Sequence, residues 1–347
     1  MKLDYHMHFE YGSYDENWVK GFFDSAKDHG LTEIGISEHS HTFPEFKDLY
    51  YQDLILDDSF VGKFQQQWLK KNKFKYTLDD YFNFIAKLRK LGYKVKTGIE
   101  VCNFQDQEKV KSILAPYDFD YIIGSIHFLH GWAYDSSEIK DEWNNHTLEE
   151  IYDWYAQEVE KLCASKIYDV LGHPFNIRLF KNIPDFDVTP YLVRVAKAVK
   201  EANMAIDINT GTLYRYPIAE ISPYPDFMKI AVEYNLPIIT SSDAHKPENI
   251  GFAFKEAYAL LDKLNLQPVY FYYKNKFVPN NKIKYNPSID KKILKQALID
   301  GFSREQVKKI LINSPNIKSE QMIDFMYRSF SHDKDLKNII LERTIHL

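Results

Sequence analysis

At 347 residues, with 44 basic against 49 acidic side chains and a net charge of -5, the chain lacks the basic excess that draws a protein to nucleic acid. Hydrophobic residues make up 45%, enough for a sizeable core, and the two cysteines, Cys102 and Cys163, argue against a disulfide framework. No apolar run approaches the roughly 20 residues that span a bilayer. The opening MKLDYHMHFE carries Asp4 and His6 where a signal peptide needs an apolar stretch, so a cytoplasmic protein without a membrane partner is expected.

Short apolar stretches alternate with helical patterns. A strand is predicted over residues 3–9, a helix over 16–29 and a strand over 33–37. A long aromatic-rich connection over 40–76 follows, of the kind that serves as a lid or substrate wall. A helix over 79–91 puts Tyr81, Ile85, Leu88 and Leu91 on one face and stops at Gly92. Then come strands over 94–101, 120–126, 168–171, 205–209 and 237–241. They alternate with helices over 105–115, 148–163, 188–202, 226–234 and 247–264. Residues 280–347 read as further helices, near 290–299, 304–312 and 319–330, with no catalytic pattern.

This alternation implies a parallel sheet, either a closed barrel or an open doubly wound one. The strand patterns favour the barrel. Leu3, Tyr5, Met7 and Phe9 fall on one face of the first strand and Asp4, His6 and His8 on the other. Glu100 lies opposite Val95, Ile99 and Val101. Asp207 and Asn209 lie opposite Met204, Ile206 and Ile208. Polar groups on an inner face near the C-terminal strand ends are what a barrel active site needs.

His6, His8, His39, Glu100, His127, His173, Asp243 and His245 all sit at or just after a predicted strand end. A lone strand histidine is usually a satisfied core or surface group, and His29, His41, His130, His146, His332 and His346 are read that way. His41 is close enough to the set to support a ligand. The eight strand-end residues reinforce one another. His6 and His8 share a strand face about 7 Å apart, close enough to bind one cation, and Asp243 and His245 repeat the spacing. Mixed imidazole and carboxylate ligands suit Zn, Mn or Fe, and Glu100 can bridge two ions held about 3.5–4 Å apart. Glu38 either orients a ligand or caps the next segment.

The motifs HMH at 6–8, SEH at 37–39, GIE at 98–100, GSIHF at 124–128, GHP at 172–174 and SDAH at 242–245 resemble the polymerase and histidinol phosphatase (PHP) family. That family's fold is a distorted seven-stranded β/α barrel of the TIM-like kind. The resemblance runs from residue 1 to about 279, which implies a catalytic barrel over 1–279 and a helical extension over 280–347. IIGSIHFLHGW at 122–132, DINTGTLYR at 207–215 and SDAHKPENIGFAFKEA at 242–257 look more narrowly like its histidinol-phosphate phosphatases. VYFYYKNKFVP at 269–279 looks like their closing strand.

The resemblance implies up to three divalent ions. One takes His6, His8, Glu100 and Asp243, and a second shares Glu100 and adds His127 and His173. The third takes His39 and His245 plus a ligand from the loop after the first strand. Many relatives have His or Asp there, six residues past the second histidine, and this chain has Tyr14. Glu10 is the expected replacement and Asp15 the reserve. Arg178 and Arg215 resemble the family's phosphate clamp, and a guanidinium fork suits phosphate oxygens.

The expected reaction is attack of a metal-bridging hydroxide on the phosphorus of L-histidinol phosphate, a step of histidine biosynthesis. Asp243 and His245 are the expected catalytic residues, with Asp243 or a nearby histidine protonating the leaving oxygen. Two other readings stand beside it. One is a PHP phosphoesterase for phosphotyrosine, nucleotides or single-stranded nucleic acid, and the other is a silent metal-binding scaffold.

Overall fold

The structure is a computed structural model that describes residues 2–12, 14–71, 73–273 and 276–279. The chain divides into two compact units, Met1–Pro268 and Val269–Leu347.

In the first unit seven parallel strands pair in sequence order: β1 (Leu3–Asp4), β2 (Glu33–His39), β3 (Val95–Cys102), β4 (Tyr121–Ser125), β5 (Val170–Leu171), β6 (Ala205–Asn209) and β7 (Ile238–Ser241). An open sheet would leave the first and last of them as edges with unpaired backbone groups. Here the two edges meet. Tyr5 N donates to Thr240 O at 3.4 Å, His8 N donates to Ala244 O at 2.8 Å, and Met7 bridges Ala244. The sheet is therefore a seven-stranded barrel, and the open alternative falls.

Around it lie α1 (Glu16–Asp28), α2 (Lys47–Asp53), α3 (Phe60–Lys70), α4 (Leu78–Lys90), α5 (Gln107–Leu114), α6 (Leu148–Ala164), α7 (Thr189–Glu201), α8 (Thr212–Arg215), α9 (Pro225–Glu233) and α10 (Phe254–Lys263). Local chemistry sets several boundaries. Capping boxes open α4 (Thr77 with Asp80) and α6 (Thr147 with Glu150). Gly92, at φ 91°, follows the end of α4. The helix expected over 247–264 is broken, because Gly251 (φ 64°) and Ala253 (φ 52°) leave the helical region between the turn Pro247–Asn249 and α10. The 40–76 connection is largely helical. It buries Phe43, Phe46 and Tyr50 and turns Phe64 and Trp68 to the cavity above the barrel.

The first strand does not keep one alternation from end to end. Leu3 pairs with Glu33 and Asp4 with Ile34, so Asp4 shares the outer face of Ile34. Asp4 accepts hydrogen bonds from Ser242 N at 3.0 Å and Gly251 N at 3.3 Å, and burial pushes its carboxyl up to about 6. Tyr5 turns inward against Tyr121, with ring centroids 5.5 Å apart. The inward face then switches to His6 and His8. Pairing with β2 on one side and with β7 on the other overrides the period of two at that point.

Tyr121 fills the barrel floor beneath the cluster, its hydroxyl donating to Tyr5 O at 2.6 Å. Gly35 and Gly98 make room for it, since a Cβ on either would overlap the Tyr121 ring. Gly98→Ala is expected to cost about 1–3 kcal/mol by overpacking, read as a lower thermal midpoint. An unchanged midpoint would mean that the floor has slack.

In the second unit Val269–Tyr273 (β8) and Lys276–Pro279 (β9) form an antiparallel pair, where one closing strand was expected. The helices expected near 290–299, 304–312 and 319–330 lie outside the described residues.

Candidate metal centre

Each ligand candidate stands where a strand delivers it, at the C-terminal rim of the barrel. His39 ends β2, Glu100 lies in β3, and His127, His173 and Asp243 each follow by two residues the end of β4, β5 and β7. His173 (φ 25°) and Asp243 (φ 52°) adopt left-handed backbone conformations, costing of order 1–3 kcal/mol each. Such strain persists where surrounding structure over-determines it. Here Gly172 N is held by Gly124 O at 2.9 Å, and Tyr214 donates to Asp243 O at 3.0 Å.

Glu100 is the centre of the arrangement. Its Oε1 lies 3.0 Å from His173 Nε2, 3.3 Å from His6 Nε2 and 3.5 Å from His127 Nε2. Its Oε2 lies 3.3 Å from His39 Nε2 and 3.8 Å from His8 Nε2. Asp243 Oδ1 is 3.3 Å from His8 Nε2 and 4.0 Å from His6 Nε2. His245 joins through His8, with ring centroids 4.5 Å apart. Ligand atoms come within 4.8 Å of one another in the groups His6–His8–Glu100, His6–His173–Asp243, Glu100–His127–His173 and His8–His39–His245, and also in Glu10–His39–His41.

Burial and crowding keep several imidazoles neutral. Burial, then repulsion from His39, lowers His8 to about 4. Burial lowers His127 to about 3, with His173 and His39 adding to it against the pull of Glu100. His6 goes the other way: burial would lower it, but Glu100, Asp243 and Asp207 outweigh burial and raise it. Glu100 stays anionic because His6, His127 and His39 overcome the cost of burying it. Among the described residues, His6 Nε2, both ring nitrogens of His8, His39 Nδ1 and Glu100 Oε2 are buried without a hydrogen-bond partner. Buried polar atoms nearly always find partners. So many unpartnered ring nitrogens around one carboxylate form groups that could hold metal ions.

In the third group Tyr14 is turned away from the other side chains. That side chain stacks between Tyr76 (centroids 4.3 Å apart) and Phe84 (4.8 Å), away from the cluster. Asp15 is used up as the N-cap of α1, accepting from Asn17 N and Trp18 N. Glu10 instead reaches the site, its Oε2 3.4 Å from His39 Nδ1 and 3.6 Å from His41 Nδ1. Glu38 orients this loop rather than capping a helix, since its Oε1 accepts from Phe9 N at 2.9 Å.

The two arginines part company. Arg215, at the end of α8, is ion-paired with Asp243 Oδ2 and lies 3.2 Å from His245 Nδ1, facing the cluster. Arg178 is not brought there. Its Nη2 donates to both oxygens of Glu220, at 2.9 and 3.0 Å, and its guanidinium stacks 3.9 Å from the Tyr224 ring centroid. The turn through Phe175 (φ 61°) sends it to a separate pocket with those partners.

Sequence reasoning gave three groups no part in the site. Asp207 Oδ2 lies 2.9 Å from His6 Nδ1, fixing that ring so that Nε2 faces Glu100. Its place on the inner face of β6 was the available signal. Cys102 Sγ lies 3.2 Å from His127 Nδ1. Asp135 Oδ2 lies 4.0 Å from His127 Nε2, and burial pushes its carboxyl up to about 6. Nothing in the local sequence marked either of these. Asp207→Asn is expected to weaken metal binding by about 10- to 100-fold, measured by metal titration; unchanged affinity would deny Asp207 that part.

Comparison with known proteins bears on the family and the fold. The family model "PHP domain" matches residues 4–211 and "PHP-associated" matches residues 228–264. A probable histidinol-phosphatase of Deinococcus radiodurans is 34% identical over 165 residues, which is 47% of this chain and 62% of that protein. The histidinol-phosphatase of Bacillus subtilis is 24% identical over 281 residues, 73% of this chain and 97% of that protein. The solved histidinol phosphate phosphatase of Lactococcus lactis, complexed with Zn, L-histidinol and phosphate, has a similar fold. Its TM-score is 0.58 at 21% identity, covering 80% of this chain and 98% of that one. With one domain model matching well over half of its length and the barrel architecture agreeing, the chain belongs to the PHP family.

Proposed function

We propose that the protein is a metal-dependent phosphomonoesterase that hydrolyses L-histidinol phosphate to L-histidinol and phosphate, a histidinol-phosphatase of histidine biosynthesis. The observation that carries this is Glu100 facing five imidazoles, four of them with an unpartnered ring nitrogen, beside the guanidinium of Arg215. In this reading His6, His8, Glu100 and Asp243 hold one ion, Glu100, His127 and His173 a second, and Glu10, His39 and His245 a third. The imidazole–carboxylate donor set suits Zn, Mn or Fe. When bound, such ions make a water nucleophilic near neutral pH and offset charge on phosphoryl oxygens.

The chain's own residues do the rest. Arg215 is placed to hold phosphate oxygens in a fork, and Asp243 fixes that guanidinium from below. His245 stands beside both and, with Asp243, forms the proposed catalytic pair. The 3₁₀ segment that carries Glu10 and the wall formed by Phe64 and Trp68 flank the approach. The net charge of -5 argues against a polyanionic polymer as substrate, and a location in the cytoplasm agrees with two buried free thiols. Among the described residues no helix is long and apolar enough to cross a membrane.

The test is phosphate release by Mn- or Zn-loaded protein from histidinol phosphate, p-nitrophenyl phosphate and nucleotides. A strong preference for histidinol phosphate is expected. Comparable slow rates on all three would defeat the assignment, and silence at full metal loading would favour a scaffold.

A further inference from the structure

Two cavities open above the cluster and run into each other. The smaller, about 80 Å³, reaches Glu100, His173 and Asp243. The larger, about 440 Å³, is walled by Phe64, Trp68, Phe128 and Phe180. They share His39, His127, Asp135, Arg215 and Tyr216, so these side chains form the neck between them. A ligand that spans both has a small anionic head and a flat, bulky tail.

Asp135 stands in that neck. It comes from the segment between Tyr134 and the 3₁₀ turns of Ser137–Asn145, and its side chain is 25% exposed. Its Oδ2 lies 4.0 Å from Nε2 of His127, an imidazole that burial keeps neutral. A carboxylate next to a phosphate pocket repels a plain phosphate dianion, because two like charges a few ångströms apart in a partly dry site interact strongly. The same carboxylate attracts a head group that carries a cation beside its phosphoester. Arg215 lines the same neck and pulls the Asp135 carboxyl down through space, but its ion pair is with Asp243.

We propose that Asp135 is the specificity-determining residue of this site, pairing with an ammonium group on the carbon next to the phosphoester carbon and turning away phosphoesters that lack one. This deepens the phosphatase reading and rests on it. The amine sits in the neck, the phosphate meets Arg215 and the cluster, and the tail lies among the aromatic walls. Asp135 therefore selects by attraction and by repulsion, which is how specific sites reject near-relatives of their ligand.

The experiment compares L-histidinol phosphate with 3-(imidazol-4-yl)propyl phosphate, which lacks only the amine, on wild type and Asp135→Asn. Removing one partner of a desolvated charge pair costs about 30-fold or more in affinity. The wild-type preference in kcat/KM for the amine-bearing ester should therefore fall by about that factor, mainly through KM. Calorimetric binding of L-histidinol against 3-(imidazol-4-yl)propanol should lose the same preference, without any reaction. A preference that survives the substitution, or equal losses on both esters, overturns the proposal. So does a wild type that hydrolyses both esters equally well, and that result leaves the phosphatase reading intact. A wild type that binds L-histidinol selectively through Asp135 yet releases no phosphate upholds the recognition site and sinks the phosphatase reading.

Discussion

Glu100→Gln is expected to lower phosphate release by about 10³-fold or more, because the substitution keeps the shape of the side chain and removes the charge that organises the site. Both carboxylate oxygens are engaged: Oε1 lies within 3.5 Å of His173, His6 and His127, and Oε2 within 3.8 Å of His39 and His8. Ser125 Oγ donates to Oε1 at 2.6 Å, fixing the group from behind. An amide would turn N–H donors toward nitrogens whose lone pairs are needed for cations. The barrel itself should survive, since Glu100 packs in a layer above the floor formed by Tyr121. Metal content by elemental analysis, read together with the rate, decides the matter. Full metal occupancy with a rate within tenfold of wild type would remove Glu100 from its central place.

The second large effect is expected at Arg215. Arg215→Ala should cut kcat/KM by about 10²- to 10³-fold, the usual loss for one preorganised donor to a developing oxyanion. The change also leaves Asp243 buried without its cation. Burial alone would raise that carboxyl, and it is Arg215 first, then His6, that hold it well below the usual range. Arg215→Lys restores charge but not the planar fork, so it should recover only part of the rate. Steady-state kinetics on both variants gives the answer. Near-normal kcat/KM in the alanine variant would place the phosphate elsewhere.

Much of the architecture was legible because its signals are local. Each of the seven strands could be read from a short apolar run, and Gly92 marked the stop of its helix. The ligand candidates were legible for a related reason. A barrel sends every strand's C-terminal end to one rim, so strand-end position alone predicts convergence. His6, Glu100, His173 and His245 do converge.

What stayed hidden depends on neighbours distant in sequence. The inward face of the first strand changes between Tyr5 and His6 because β2 and β7 impose different registers, which a period of two cannot express. Arg178 looked like a phosphate ligand until Glu220 and Tyr224 were seen to claim it, and both lie more than 40 residues away.

The sequence by itself determined alternating strands and helices with imidazoles and carboxylates at the strand ends, and favoured a barrel, since periodicity and strand-end chemistry are carried within single segments. Only the tertiary structure decided that Glu10 rather than Asp15 faces His39, that Asp207 steadies His6, and that Asp135 stands between two cavities. Those choices depend on which side chain wins a partner, and such partners meet only when the chain has closed on itself.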